Sequence, residues 1–211
     1  MNLALKPIFI SDFYKCLTKL KPGYSAKFAR NFADCGNTIK CNYDSECEKQ
    51  INQQINQELY ASYAYLSMAY HFEHPMLALP GFFSMFLFFS KEETEHAKKL
   101  IEFQNKRGGK VIYCDIKAFE DCDWTPESSV MKAIELEKTV TNSLHLLHSI
   151  ASKQLDCHLC DFVEGEYLKE QYLAIKELHS LHSQLKRLND GVGIHLLDKE
   201  LYKKFKNKKI E

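Results

Sequence analysis

The sequence predicts an all-α protein: a bundle of four long helices with one long crossover and a short fifth helix. Three observations carry this. Glycine and proline are scarce, 8 and 5 in 211 residues, so long stretches run free of helix breakers. Apolar residues recur at helical spacing from Asp44 onward. The connections between helical stretches run short, long, short, the pattern of two antiparallel pairs joined by one crossover.

The first helix is expected to start at Asp44 or Ser45, which can cap it, with Glu46 and Glu48 favoured in the first turn by the helix dipole. Its apolar and small residues run through Ile51, Ile55, Leu59, Tyr63, Leu66 and Tyr70, and it ends near His74-Pro75. Pro80 suits the first turn of a second helix, which Gly108-Gly109 stops after Arg107. Residues 110–125 are mixed in character, with Val111-Ile112-Tyr113 briefly extended. They form the crossover. Thr125-Pro126-Glu127 starts a third helix by N-cap, proline and acidic first turn. It continues to about Lys153. The fourth helix is expected over 157–189, and Asn189-Asp190-Gly191-Val192-Gly193 reads as a turn. A short fifth helix spans about 194–204, before a lysine-rich tail.

Composition excludes some classes. With 28 basic and 28 acidic residues, no net field points to nucleic acid or to an anionic membrane. The longest apolar run, residues 81–89, is half the length a membrane span needs and leads into Lys91-Glu92-Glu93. Eight cysteines (Cys16, Cys35, Cys41, Cys47, Cys114, Cys122, Cys157, Cys160) sit in a chain with ample core, which favours a reducing compartment over a disulfide framework. Cys157-His158-Leu159-Cys160 has no second cysteine pair at zinc-ribbon distance and reads as helix-start packing. Residues 1–40 stand apart as a basic extension, and 41–211 as the helical domain. Lys6 and Asp12 interrupt any secretory h-region. The expected compartment is the cytoplasm, or the mitochondrion if residues 1–40 serve as a transit peptide.

Chemistry concentrates in a few residues. Glu93-Thr94-Glu95-His96 is an E-x-x-H, whose i, i+3 spacing puts Glu93 and His96 on one helix face. Such a pair, with carboxylates from partner helices, is how a bundle core builds a carboxylate-bridged di-iron site. Glu58 and Glu137 lie at compatible depths in apolar-rich stretches of other helices. Either alone reads as an ordinary solvated glutamate. Together with the E-x-x-H they predict an iron site with redox chemistry.

Residues 42–189 resemble animal ferritin of the heavy-chain type, almost without gaps. The resemblance is carried by residues 50–68, by Glu92-Glu93-Thr94-Glu95-His96-Ala97 with Gln104-Asn105-Lys106-Arg107-Gly108-Gly109, and by residues 158–164 and 167–171. It implies a ferritin-like fold and a ferroxidase centre. Glu58, Glu93 and His96 match the ligands of the first iron. Glu93 matches the bridge to the second, and Glu137 its further ligand. Gln171 matches the glutamine beside the centre and Tyr65 the nearby tyrosine. Tyr65 has two roles open to it, electron donor or hydrogen-bond partner of a ligand carboxylate. Gln171 and Ala174 stand where a symmetric di-iron protein has a second E-x-x-H, so the second site is ligand-poor and suits an iron that leaves.

The resemblance further implies Fe(II) and dioxygen as substrates, two irons per subunit, and a hollow shell of 24 subunits, alone or with other ferritin subunits. His148, Asp161 and Glu164 match residues at the three-fold channels. Glu92 and Glu95 match cavity-facing acids that seed mineral. Lys98, Phe88 and Lys91 depart from the family's polar or acidic inner surface, which points to weaker nucleation. Glu200 replaces a histidine near the four-fold axis. Two other classes stay open: a di-iron oxygenase or peroxidase, which would call for a second E-x-x-H, and a purely structural shell subunit.

Overall fold

Asp44 sits in extended backbone and accepts a hydrogen bond from the Glu46 N–H at 2.8 Å, so the first helix opens where a side chain can satisfy an orphan donor. In the computed structural model, which describes residues 39–118, 123–188 and 191–209, the helical body begins at this residue. Residues 1–38 of the expected extension lie outside the described residues. Among the described residues, every regular element is helical: α1 Ser45–Glu73, α2 Pro80–Lys106, α3 Pro126–Lys153, α4 Cys157–Val163, a π-helical turn Glu164–Leu168, α5 Lys169–Leu185 and α6 Gly191–Phe205. Helix α1 packs against α2 and α3, α3 against α4 and α5, and α6 against α2.

The breaks follow local chemistry. Gly108, at φ 77°, ends α2 in a Schellman arrangement: Gly109 N–H bonds Gln104 O at 2.9 Å, and Gly108 N–H bonds Asn105 O at 3.0 Å. Helix α3 carries a full capping box between Thr125 and Ser128. At its far end Leu155 takes the left-handed conformation, φ 59°, that glycine usually supplies. Asp156 then caps α4 through Leu159 N–H at 3.0 Å and receives two 2.9 Å bonds from the Arg107 guanidinium. That nearly buried ion pair ties the end of α2 to the start of α4.

The crossover is pinned along α1 by side chains that replace a missing strand partner. Asn52 bonds both Lys110 O and Ile112 N–H at 2.9 Å, Glu48 accepts from Lys110 N–H, and His71 meets Trp124 O. From Glu48 to His71 the crossover thus follows about 35 Å of helix. Val111, Ile112 and Tyr113 belong to no strand. Residues 119–122 lie outside the described residues.

Three expectations are corrected. The apolar series on α1 does not face the core throughout: Tyr63, Leu66 and Tyr70 are exposed, while Ala61, Ala64, Tyr65, Met68, Ala69 and Phe72 are buried. This helix has apolar residues on two faces, and only one is covered within the subunit. The fifth helix starts at Gly191, inside the stretch expected to turn. The fourth helix is not one continuous α-helix to residue 189. Leu159, Val163, Tyr167 and Gln171 are all buried at steps of four. In a pure α-helix such a series drifts by about 40° per step. The wider π turn at Glu164–Leu168 absorbs part of that drift and keeps Gln171 inward.

The end of the bundle near α6 is filled by aromatic rings. Phe72, Phe82 and Phe86 are fully buried, with Phe72 centred 5.3 Å from Phe82 and 5.8 Å from Phe86. Each such ring stabilises by about 2–3 kcal/mol. Helix α2 has no side-chain cap of its own. Asp198 of α6 supplies one, accepting from Gly81 N–H at 2.8 Å and Phe82 N–H at 3.0 Å.

Candidate metal centre

Three helices aim polar groups into the middle of this apolar packing. Helix α1 contributes Gln54, Glu58 and Tyr65, α2 contributes Glu93 and His96, and α3 contributes Glu137; all six are buried. One donor atom from each of Glu58, Glu93 and His96 lies within 4.8 Å of the others. The i, i+3 pair meets as its spacing predicts, with His96 Nδ1 3.3 Å from Glu93 Oε2. The buried oxygens Glu58 Oε2 and Glu137 Oε2 take no hydrogen bond. Buried carboxylate oxygens without a donor are costly unless a cation meets them, so the donor set fits a metal ion.

Glu137 adjoins this cluster. The Tyr65 hydroxyl donates to its Oε1 at 2.5 Å, and Gln171, buried on α5, lies beside its carboxyl. This bond is present whichever of its two roles Tyr65 plays. Its ring is wedged against Phe86 and Phe89.

The electrostatics follow from burial. Glu58 is held well above the ordinary carboxylate range, first by desolvation and then by the Glu93 charge. Glu93 is raised by desolvation and by Glu137. Glu137 is pushed up to about 7 by burial, against the pull of the Tyr65 hydroxyl. Burial pulls His96 down, but hydrogen bonds to Glu170 and Glu93 and the nearby carboxylates outweigh it and hold the ring at about 11. A divalent cation arriving here displaces protons and relieves the repulsion among the acids.

Sequence reasoning passed over several partners. Gln54 Nε2 donates to Glu58 Oε1 at 2.7 Å. The Tyr167 hydroxyl donates to His96 O at 3.0 Å. Glu170 Oε2 lies 3.3 Å from His96 Nε2. Each sits one helical turn from, or next to, a singled-out residue, and that adjacency was the signal available. A cavity of about 590 Å³ opens from the cluster, walled by Glu93, His96, Glu137 and Gln171 on one side and by Leu201, Lys204 and Lys208 of α6 on the other.

The other expected residues lie apart. His148 and Glu164 meet through His148 Nε2 and Glu164 Oε1 at 2.5 Å, and Asp161 is exposed one turn earlier on α4. Glu92 and Glu95 are half-buried on α2; Glu95 is paired with Lys98 at 2.6 Å. Phe88 is buried beside Phe205, and Glu200 of α6 lines the cavity just described. Cys157 is exposed at the first position of α4 and Cys160 half-buried; with Cys47 and Cys114 they are free thiols. Burial pushes the Cys47 thiol up to about 12.

Fold and cluster together define a class: a four-helix bundle with a carboxylate–histidine site in its core and one crossover between its helix pairs. The ferritin-like domain family matches residues 48–188. The chain is similar to soma ferritin of Lymnaea stagnalis, 47% identical over 160 residues that make up 75% of this chain and 92% of that protein. It is 44% identical over 163 residues to ferritin heavy chain of Echinococcus granulosus, covering 77% of this chain and 94% of the relative. It is 47% identical over 165 residues to the ferritin middle subunit of Salmo salar, covering 76% and 94%. The chain belongs to the ferritin family, whose members indicate iron storage.

Proposed function

We propose that this chain is a ferroxidase-competent ferritin subunit. It oxidises Fe(II) with dioxygen at a paired site and stores the product as ferric oxyhydroxide inside a 24-subunit shell. The observation that carries the reading is the buried cluster of Glu58, Glu93 and His96, with undonated carboxylate oxygens on Glu58 and on neighbouring Glu137. Glu58, Glu93 and His96 hold the first iron. Glu93 bridges to the second, which Glu137 binds with Gln171 beside it. Tyr65 fixes the Glu137 carboxyl. The two Fe(II) give one electron each, which with two protons reduces dioxygen to hydrogen peroxide. The second iron has few protein ligands, since Ala174 occupies the place of a histidine, so the oxidised pair leaves as product.

Iron reaches the site through channels that His148, Asp161 and Glu164 line, and mineral starts on Glu92 and Glu95. The ion pair between Lys98 and Glu95 supports the expectation of weaker nucleation. The exposed Tyr63, Leu66 and Tyr70 form an apolar face suited to contact with another subunit. No described helix is long and apolar enough to cross a membrane. The proposed compartment is the cytoplasm.

Stopped-flow absorbance on adding Fe(II) in air to purified apo-protein tests this reading. A fast phase saturating near two irons per subunit is expected, and Glu93→Lys with His96→Gly should abolish it without preventing assembly. Colour that develops only slowly and with excess iron, or a variant that keeps the fast phase, would overturn the assignment. The structural-subunit reading would then stand.

A further inference from the structure

We propose that Glu170 is the positioning residue for His96, holding its imidazole so that Nδ1 faces the iron pair. This deepens the ferroxidase reading and rests on it. The two ring nitrogens of His96 face different partners. Nδ1 points to Glu93 Oε2 at 3.3 Å, inside the cluster that also holds Glu58. Nε2 points the other way, to Glu170 Oε2 at 3.3 Å. Both carboxylates accept from the ring, but only Nδ1 is turned toward the cluster; with Nε2–H held by Glu170, a metal entering beside Glu93 and Glu58 meets Nδ1 and takes its lone pair in place of a proton. A ligating histidine commonly has an outer carboxylate that sets its tautomer and ring plane.

The rest of the ring's surroundings agree with a fixed plane. The Tyr167 ring meets the imidazole edge-on, with centroids 5.6 Å apart, and its hydroxyl bonds the His96 carbonyl. Tyr167 closes the π turn's end of the contact, while Glu170 supplies its open side. The π turn directly precedes α5, so it sets the rotation that brings Glu170 to His96 and Gln171 to Glu137 together. Glu170 is not among the residues whose donor atoms converge in the cluster. Its carboxylate is about half exposed along the wall of the cavity, where water can reach it.

The test is anaerobic titration of the assembled apo-shell with Co(II), whose visible absorption reports ligand number and geometry. Wild type should bind two Co(II) per subunit with a distinct visible band. Glu170→Ala should lose about tenfold or more in affinity at the histidine-containing site and change the band, with unaltered melting temperature. Glu170→Gln, whose amide oxygen still accepts from Nε2–H, should stay close to wild type. Wild-type affinity and spectrum in Glu170→Ala would overturn the positioning role while leaving the ferroxidase reading intact. Equal weakening in the alanine and glutamine variants would also overturn it, in favour of plain charge attraction. Failure of wild type to bind Co(II) at the cluster would remove the ferroxidase reading and this inference with it.

Discussion

Glu137→Gln should make the metal-free protein more stable, and the gain should depend on pH. In wild type, burial raises the Glu137 pKa from 4.5 to about 7. Below the ordinary pKa both folded and unfolded chains carry the proton, and the group contributes no penalty. Between the two values the unfolded chain ionises while the folded one does not, so stability falls as pH rises. Above about 7 the loss is complete. The gap, at about 1.4 kcal/mol per pH unit, amounts to about 3 kcal/mol. Glutamine keeps an oxygen for the Tyr65 hydroxyl to donate to and carries no charge. It also relieves Glu93, whose pKa Glu137 raises. For a chain of this size, about 3 kcal/mol corresponds to roughly 6–12 °C in melting temperature. Calorimetry in chelator from pH 5 to 8 should show the two proteins converging at the acid end and separating by that amount at pH 8. Adding a divalent metal should raise the wild-type value more than the variant's. A variant that melts at or below wild type across the whole range would refute the reasoning.

Other substitutions probe the scaffold and the channel. Asp156→Ala removes both bonds to Arg107 and the α4 cap, and should cost about 3–5 kcal/mol, seen as a large drop in melting temperature. A change of only a few degrees would mean the buried pair is not holding α2 to α4. Gly81→Ala would place a Cβ 1.9 Å from the Asp198 carbonyl oxygen, so α6 must shift; about 1–3 kcal/mol should be lost. Unchanged stability there would mean α6 is not seated as described. Asp161→Asn with Glu164→Gln should slow iron uptake at limiting Fe(II) while leaving the fast-phase amplitude at saturation unchanged. Uptake at the wild-type rate would argue against the channel role.

Features that rest on neighbouring residues were legible in the sequence. Asp44, Thr125-Pro126 and Gly108 mark helix ends because caps, proline and a left-handed glycine act within one turn. The E-x-x-H was legible because i, i+3 geometry needs no tertiary knowledge. Two-sided apolar patterning on α1 hid which face is core, since Tyr63 and Leu66 are as apolar as what lies inside. The π turn was encoded by the strict steps of four from Leu159 to Gln171, a weaker cue than a proline or a cap. Glu170 carried only its adjacency to Gln171 as a signal, because a glutamate on a helix reads as solvated until its partner on another helix is seen. The same holds for the bond from Gly81 to Asp198, 117 positions apart.

That last bond has a consequence for synthesis. The first turn of α2 has no cap until α6 docks on it. At about 5–20 residues per second, the ribosome needs roughly 6–23 s to make the stretch between them. Throughout that interval the N-terminal end of α2, with the aromatic residues Phe82, Phe83 and Phe86 beside it, is incompletely ordered on the nascent chain. Docking of α6 therefore completes the folding of an element made more than a hundred residues earlier. A chain cut short before Asp198 would emerge with that aromatic end unsealed and prone to association.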